Sequence, residues 1–263
     1  MNLQTALFRA YRYLIYWLLK QDEHALQAPY IYSFYRHVLT TGRSEYEPDI
    51  RRLIESLKHN WNTISSQVGA GSVLDAKTYS ISSIVSYGMT SPKYSYTLQR
   101  IQESMQAKRV LELGTSLGIN AAIMARSFGL SHLVTIEKNQ ILAGIAQSNF
   151  EELKVDERID LMYSSVEEAL FLLLNKKDRF DLIYVDANHT YEATLLYYQS
   201  LNQLVSKNHG FMIFDDINWS MGMRRAWDEI KEDFDQGIVI ENYQMGILIY
   251  KADLTPKQYI LNF

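Results

Sequence analysis

The sequence predicts an α/β protein: a doubly wound sheet of seven strands, the last one antiparallel, behind an N-terminal helical extension. Three patterns carry this. From residue 96 onward, short apolar runs alternate with helical segments of about 10 to 15 residues, which calls for a parallel sheet with helices on both faces. The runs at 238–244 and 246–251 are linked too tightly for a crossover, so they form a hairpin and one strand opposes the rest. Residues 1–65, by contrast, show helical spacing alone.

The elements follow in order. Leu3, Leu7, Tyr11, Leu14, Ile15 and Leu18 recur at helical spacing over 3–20. A second helix, PYIYSFYRHVLT at about 29–40, breaks at Thr41-Gly42. Pro48 and Asp49 suit the start of a third over about 48–65, with Ile50, Leu53, Ile54, Leu57 and Trp61 on one face. Gly69, Gly71, Gly88 and Pro92 then punctuate the chain, so VGAGS and YGMTSPKY are expected as loops around a short helical stretch. Strands are expected at 110–114, 133–137, 159–164, 181–187 and 211–216, followed by helices at 119–127, 141–153, 166–175, 191–205 and 223–234. The change of pattern divides the chain into a helical extension or lid, 1–95, and a ligand-binding domain, 96–263.

Composition narrows the function classes. The 263 residues are 47% hydrophobic and 21% charged, which is globular and excludes a disordered chain. Cysteine is absent, so disulfides, thiolate metal sites and cysteine nucleophiles are excluded. A net charge of -4 argues against nucleic-acid binding. The apolar run from Tyr13 to Leu19 falls short of the roughly 20 residues that cross a bilayer. The KQDEH that follows it offers no small-residue cleavage site, so a cytoplasmic protein without a transmembrane segment is expected. The first helix is expected to pack on its own domain or on a second copy in a homodimer; a membrane-surface role is the weaker alternative. Tyrosine is over-used, 19 against 10 Phe and 4 Trp, and ten of the tyrosines precede the α/β part.

Doubly wound sheets bind ligands beyond the carboxyl ends of their strands, where the strand order reverses. ELGTSLGINAA places Gly114 and Gly118 there, as Gly-x-x-x-Gly and not the Gly-x-Gly-x-x-Gly of pyrophosphate cradles. Glu137 ends the next strand, where a carboxylate can accept both hydroxyls of a ribose. Glu112 can face a cationic amino-acid portion. Alone, the glycines fit a plain strand-to-helix turn; with the acid they indicate an adenosine-containing ligand. Asp186, Asp215 and Asp216 end two further strands, and such like charges are costly without a cation or a shared proton. Oxygen donors without thiolates favour Mg²⁺, Mn²⁺ or Ca²⁺; alternatively Asp216 caps a helix or pairs with Arg224 or Arg225. His189 lies on the loop after Asp186, as a general base near neutral pH or as a helix cap. Trp219 lines a pocket or packs the helix that follows it.

VLELGTSLGINAAIMA followed by VTIEKN resembles the class I S-adenosylmethionine-dependent methyltransferases, most of all the metal-dependent, catechol O-methyltransferase-like branch, over about residues 100–251. QAPYIYSFYRHVL and SPKYSYTL resemble a bacterial subgroup of uncharacterised methyltransferases. The resemblance implies a Rossmann-like seven-stranded sheet, with Glu112, Gly114, Thr115, Ser116 and Gly118 around the methionine part of S-adenosylmethionine. It further implies Glu137 on the ribose, Ser165 and Val166 beside the adenine, and Asp186 at both the cofactor and a divalent metal shared with Asp215 and Asp216. Asp216 replaces the usual Asn of that branch, which adds a charge. DANHTYEAT is similar to an Asp-Gly-x-His-x-Tyr signature, which makes His189 and Asp186 the candidate catalytic pair and Tyr191, Trp219 and Lys93 candidates for the acceptor pocket. The implied reaction is methyl transfer from a sulfonium to an oxygen of a small hydroxylated acceptor, and the N-terminal tyrosines are expected to shape the acceptor pocket. Two other classes are weighed. An NAD-dependent oxidoreductase is opposed by the missing Gly-x-Gly-x-x-Gly. A non-catalytic S-adenosylmethionine binder is opposed by the presence of both Glu137 and the acid cluster.

Overall fold

A computed structural model describes residues 3–43, 45–65, 78–251 and 253–263. The N-terminal part begins with helix α1 (Leu3–Leu19). Helix α2 (Pro29–Phe34) widens into a π turn at Tyr35–Leu39, and α3 spans Pro48–Lys58. Pro at the first turn of α2 and α3 starts both helices where a missing N–H costs nothing. Helix α3 stops well short of the expected residue 65. The Asn60 side chain accepts the Asn62 N–H at 3.0 Å, a local turn that competes with the helix, and Trp61 is left 73% exposed. Strand β1 (Thr63–Ser65) then pairs antiparallel with β2 (Thr78–Ser80), a pairing too short to read in the sequence.

Helix α4 (Ile81–Tyr87) follows directly, with the Ser80 hydroxyl accepting the Ser83 N–H. Helix α5 spans Pro92–Ser104, so YGMTSPKY is loop only as far as Ser91, and residue 96 lies inside α5. Pro92 presets its own φ for a helix start, which turns a sequence breaker into an initiator. The expected VGAGS loop lies outside the described residues.

The α/β alternation is as expected. In chain order come β3 (Arg109–Leu113), α6 (Ile119–Ala125), β4 (His132–Glu137), α7 (Gln140–Glu152), β5 (Ile159–Tyr163) and α8 (Val166–Lys176). Then follow β6 (Leu182–Val185), α9 (Tyr191–Leu201), β7 (Phe211–Phe214) and α10 (Met221–Asp233). Strands β8 (Gly237–Glu241), β9 (Gly246–Tyr250) and β10 (Lys257–Ile260) close the sheet. Its order is β10-β8-β9-β7-β6-β3-β4-β5, and β9 runs antiparallel to both β7 and β8. The sheet thus has eight strands among the described residues, not seven. The extra one, β10, adds parallel to β8 at the edge, and its exposed Lys257 and Gln258 hide it from an apolar-run reading.

Period-two alternation buries both faces of the sheet, as a parallel sheet requires. Val110, Leu182, Tyr184, Ile213 and Ile247 enter one core with α6 and α7. Leu111, Ile183, Phe214 and Leu248 enter the other with α8, α9 and α10. The N-terminal helices join the first core: Ile31, Phe34, Leu39, Ile50 and Leu53 are buried in it, and the Phe34 ring meets that of Phe211 at 5.7 Å. Each such side chain contributes about 1.5–3 kcal/mol on full burial. The C-terminal residues fasten this layer. Gln21 N–H donates to Ile260 O at 2.7 Å, Tyr35 hydroxyl to Asn262 O at 2.8 Å, and Phe263 is buried. Helix α1 differs in having no buried residue; Leu3, Leu7, Leu14, Trp17 and Leu18 are each more than half exposed. No helix among the described residues is long and apolar enough to cross a membrane.

Candidate active site

Strand register brings the site together. Leu113 pairs with Ile136 and with Val185, and Val185 pairs with Phe214. The next residue of each strand, Gly114, Glu137, Asp186 and Asp215, therefore falls in one row along the carboxyl edge. The row spans the point where the chain, having built β3-β4-β5 outward, returns to build β6-β7 on the other side of β3. A cavity of about 540 Å³ opens there, walled by Gly114, Ser116, Glu137, Val166, Asp186, His189, Asp215, Asp216 and Trp219. Left-handed backbone marks three of its turns at non-glycine residues: Ser116 (φ 50°), Asn188 (φ 44°) and Asp216 (φ 52°). Such conformations cost free energy and persist where the surrounding structure fixes them, typically at functional sites.

At the β3–β4 end, Gly114 has φ 97° and its missing Cβ would fall on the Asp186 carbonyl oxygen, so no side chain fits. The Glu137 carboxylate accepts the Ser116 N–H at 2.9 Å and the Asn139 N–H at 2.8 Å, one on each oxygen. These bonds aim the carboxylate and leave a lone pair on each oxygen, enough for the two hydroxyls of a ribose. Burial, against those backbone bonds, raises its pKa. These acceptors suit the hydroxyls of a ribose.

At the β6–β7 end the acids are already engaged. Asp215 is buried; its Oδ2 accepts the Tyr184 hydroxyl at 2.5 Å, and its Oδ1 accepts the Asp216 N–H at 2.8 Å and the Gln244 amide at 3.0 Å. The same amide donates to Asp216 Oδ1 at 2.6 Å. Burial, with the charges of Asp186 and Asp216, holds the Asp215 carboxyl well above the usual carboxylate range, against the bonds from Tyr184 and Gln244. His189 Nε2 lies 3.4 Å from Asp186 Oδ1, and its ring centroid lies 6.2 Å from that of Trp219. Burial disfavours its charged form, but the hydrogen bond and charge of Asp186, with the charges of Asp216 and Asp215, outweigh this and lift the imidazole to about 8. Among the described residues, no three His, Cys, Asp or Glu side chains converge as a metal-ligating group. The expected ligands Asp186, Asp215 and Asp216 share the cavity, but Asp215 and Asp216 are spoken for by protein donors, and this arrangement does not fit a divalent metal.

Several candidates sit beneath or outside the cavity wall. Glu112 is 1% exposed, accepting the Thr135 hydroxyl at 2.6 Å, and Thr115 shares that hydroxyl at 2.6 Å. Gly118 caps α6, and a Cβ there would lie 2.5 Å from Phe150 Cε1, so packing accounts for the glycine. Ser165 forms the capping box of α8 with Glu168. Tyr191 turns its hydroxyl to Glu229 at 2.7 Å, and Lys93 is an exposed residue of α5 beside Tyr94. Of the N-terminal tyrosines, Tyr79 and Tyr87 reach the wall. Tyr13 and Tyr16 instead pack on Tyr243, while Tyr96 accepts the Glu47 N–H. Sequence reasoning missed Tyr184, Gln244 and Arg9. Arg9, on α1, lines the cavity, with its guanidinium 4.0 Å from the Trp219 ring centroid and its Nε donating to Trp219 O at 3.0 Å. The periodicity of α1 drew attention to its apolar face and away from this cation.

Comparison with known proteins adds a domain match and a shared fold. Residues 111–217 match a family model described as a methyltransferase domain. A curated catechol O-methyltransferase of Niastella koreensis is 30% identical over 127 residues, 43% of this chain and 54% of the relative. The match thus spans about half the length of that relative. An O-methyltransferase from Bacillus cereus, in complex with S-adenosylhomocysteine, superposes with a TM-score of 0.58 at 19% identity, covering 79% of this chain and 92% of the other. An S-adenosylhomocysteine-bound methyltransferase of Podospora anserina gives 0.59 at 15%, over 86% and 97%. Residues 111–217 thus match a methyltransferase domain, and the chain shares its fold with these solved methyltransferases.

Proposed function

We propose that this chain transfers a methyl group from S-adenosylmethionine to an oxygen of a small hydroxylated acceptor, with His189 as general base. One observation carries the proposal: a single cavity joins the Gly114 turn and Glu137 at one end to Asp186, His189 and Trp219 at the other. A nucleoside on Glu137 would place its reactive end beside the carboxyl end of β6. The sulfonium is already activated, so the protein's task is mainly to hold donor and acceptor in line. His189, oriented by Asp186, takes the proton that the acceptor hydroxyl gives up. The Trp219 ring supplies a flat apolar wall for that acceptor. The expected divalent metal takes no part in this reading, since Asp215 and Asp216 are bonded to protein donors. The curated relative's name favours an aromatic diol, and catechols head the acceptors to be tried. A homodimer through the exposed face of α1 belongs to the same proposal, and a monomeric mass in solution would refute that part.

The test is calorimetric titration with S-adenosylhomocysteine, then methyl transfer from labelled S-adenosylmethionine to a panel of catechols, sugars and simple phenols. Binding and turnover are expected, and His189→Gln should lower kcat by roughly 10²–10⁴-fold while S-adenosylhomocysteine affinity is kept. The base must be neutral, so the wild-type rate should rise with pH through about 8. NAD binding without S-adenosylhomocysteine binding would overturn the proposal. Binding with no turnover on any acceptor would leave a non-catalytic binder.

A further inference from the structure

We propose that the Tyr184 hydroxyl is a positioning group that, with Gln244, holds Asp215 beside Asp186 in the place of a divalent cation, so that this site works without a metal ion. The inference rests on the methyltransferase reading above and deepens it.

Tyr184 lies two residues before Asp186, which directly follows β6, so both side chains leave the chain on one face. Its ring is fully buried, and only its hydroxyl oxygen meets the acids, 2.5 Å from Asp215 Oδ2 and 3.4 Å from Asp186 Oδ2. The hydroxyl's single proton goes to the nearer Asp215, and its oxygen keeps the two strand ends at a fixed separation. Gln244, in the turn between β8 and β9, adds a second clasp. Its amide spends both N–H groups on acids, one on Asp215 Oδ1 at 3.0 Å and one on Asp216 Oδ1 at 2.6 Å. With the Asp216 N–H, Asp215 therefore accepts three donors across four lone-pair positions. A hard cation would need several of those oxygens within about 2.0–2.6 Å and would have to displace these donors first. A phenol and an amide hold the carboxylates apart as a cation would, but bring no positive charge. His189, 3.4 Å from Asp186, supplies the basic group at this end of the cavity.

The test is Mn²⁺ titration followed by electron paramagnetic resonance, on the full chain and on Tyr184→Phe. Wild type is expected to bind no Mn²⁺ at this site up to millimolar concentration. Its methyl transfer, to any acceptor found above, should keep its rate in EDTA. Tyr184→Phe frees Asp215 Oδ2 and opens space beside Asp186 Oδ2, and should gain Mn²⁺ affinity by about 10- to 100-fold. A purely structural tyrosine would lower the melting temperature on this change without creating a metal site. If Phe at 184 prevents folding, Gln244→Ala, which removes the other clasp at the cavity wall, reads the same quantity. Micromolar Mn²⁺ binding by wild type overturns the inference, as does a folded variant that binds Mn²⁺ no better than wild type. Failure to bind S-adenosylhomocysteine would overturn the methyltransferase reading instead, whatever the Mn²⁺ titration shows.

Discussion

Glu112 shows how far burial moves a carboxyl group. Desolvation is the main cause, the charges of Asp186 and Glu137 add to it, and the Thr135 hydrogen bond opposes it; the carboxyl is pushed up to about 8. The folded protein therefore keeps a proton that the unfolded chain, titrating near 4.5, has released. Stability is fully present below that lower value and is lost as pH rises towards 8. Glu112→Gln, which mimics the protonated form, is expected to melt with wild type at pH 4 and several degrees above it at pH 8.5. Equal melting at both pH values would show that no proton is held. His189, also raised, acts in the same sense: its stabilising charge is present below about 6.5 and is lost through about 8. Gly114, Glu137 and Asp186 were legible in the sequence because a glycine and strand-end acids stand out against apolar runs. Tyr184 and Gln244 were not, because the first reads as one more apolar strand residue and the second as one more polar turn residue.

Helix α1 contributes Arg9 to the cavity wall although none of its residues is buried. Three polar links hold it over the cavity mouth: Arg9 to Trp219 O, Arg12 Nε to Asn218 Oδ1 at 3.0 Å, and Tyr243 hydroxyl to Arg9 O at 3.2 Å. Arg9 also flattens against Trp219, a cation–π contact of about 0.5–2 kcal/mol. Arg9→Ala is thus expected to raise the acceptor KM several-fold while leaving S-adenosylhomocysteine affinity within about two-fold, because Glu137 lies at the far end of the cavity. Equal weakening of both ligands would mean that α1 closes the whole cavity and not its acceptor end. The helix itself was legible from its spacing. Its role was not, because its contacts are to residues more than two hundred positions away.

At the scale of the molecule, the alternation from residue 96 was legible because the inner strands β3, β4, β6, β7, β8 and β9 are buried on both faces, which writes them as apolar runs between amphipathic helices. Capping residues such as Asn139, Ser165 and Ser220 sharpen the boundaries. What stayed hidden was β10, whose register is set by β8 and not by its own composition. That strand and the residues after it connect the two halves. Deleting residues 257–263 removes the Gln21 and Tyr35 bonds and the buried Tyr259, Leu261 and Phe263. The truncated chain is expected to lose cooperative melting and to have residues 21–58 cut by protease under native conditions; an unchanged proteolysis pattern would refute the link.

The meeting of Gln21 with Ile260 and Asn262 also sets the order in which the chain can fold. An α/β unit made of local strand–helix–strand steps could assemble progressively as it is synthesised. Here, however, the helices at residues 29–58 find their final support only after a segment some two hundred positions downstream has joined the sheet edge. Closing so long a loop adds entropy to the barrier and raises the mean separation of contacting residues, which slows folding. The N-terminal tyrosines and leucines would then wait, exposed, through much of synthesis. That interval is when a chaperone has the most apolar surface to hold.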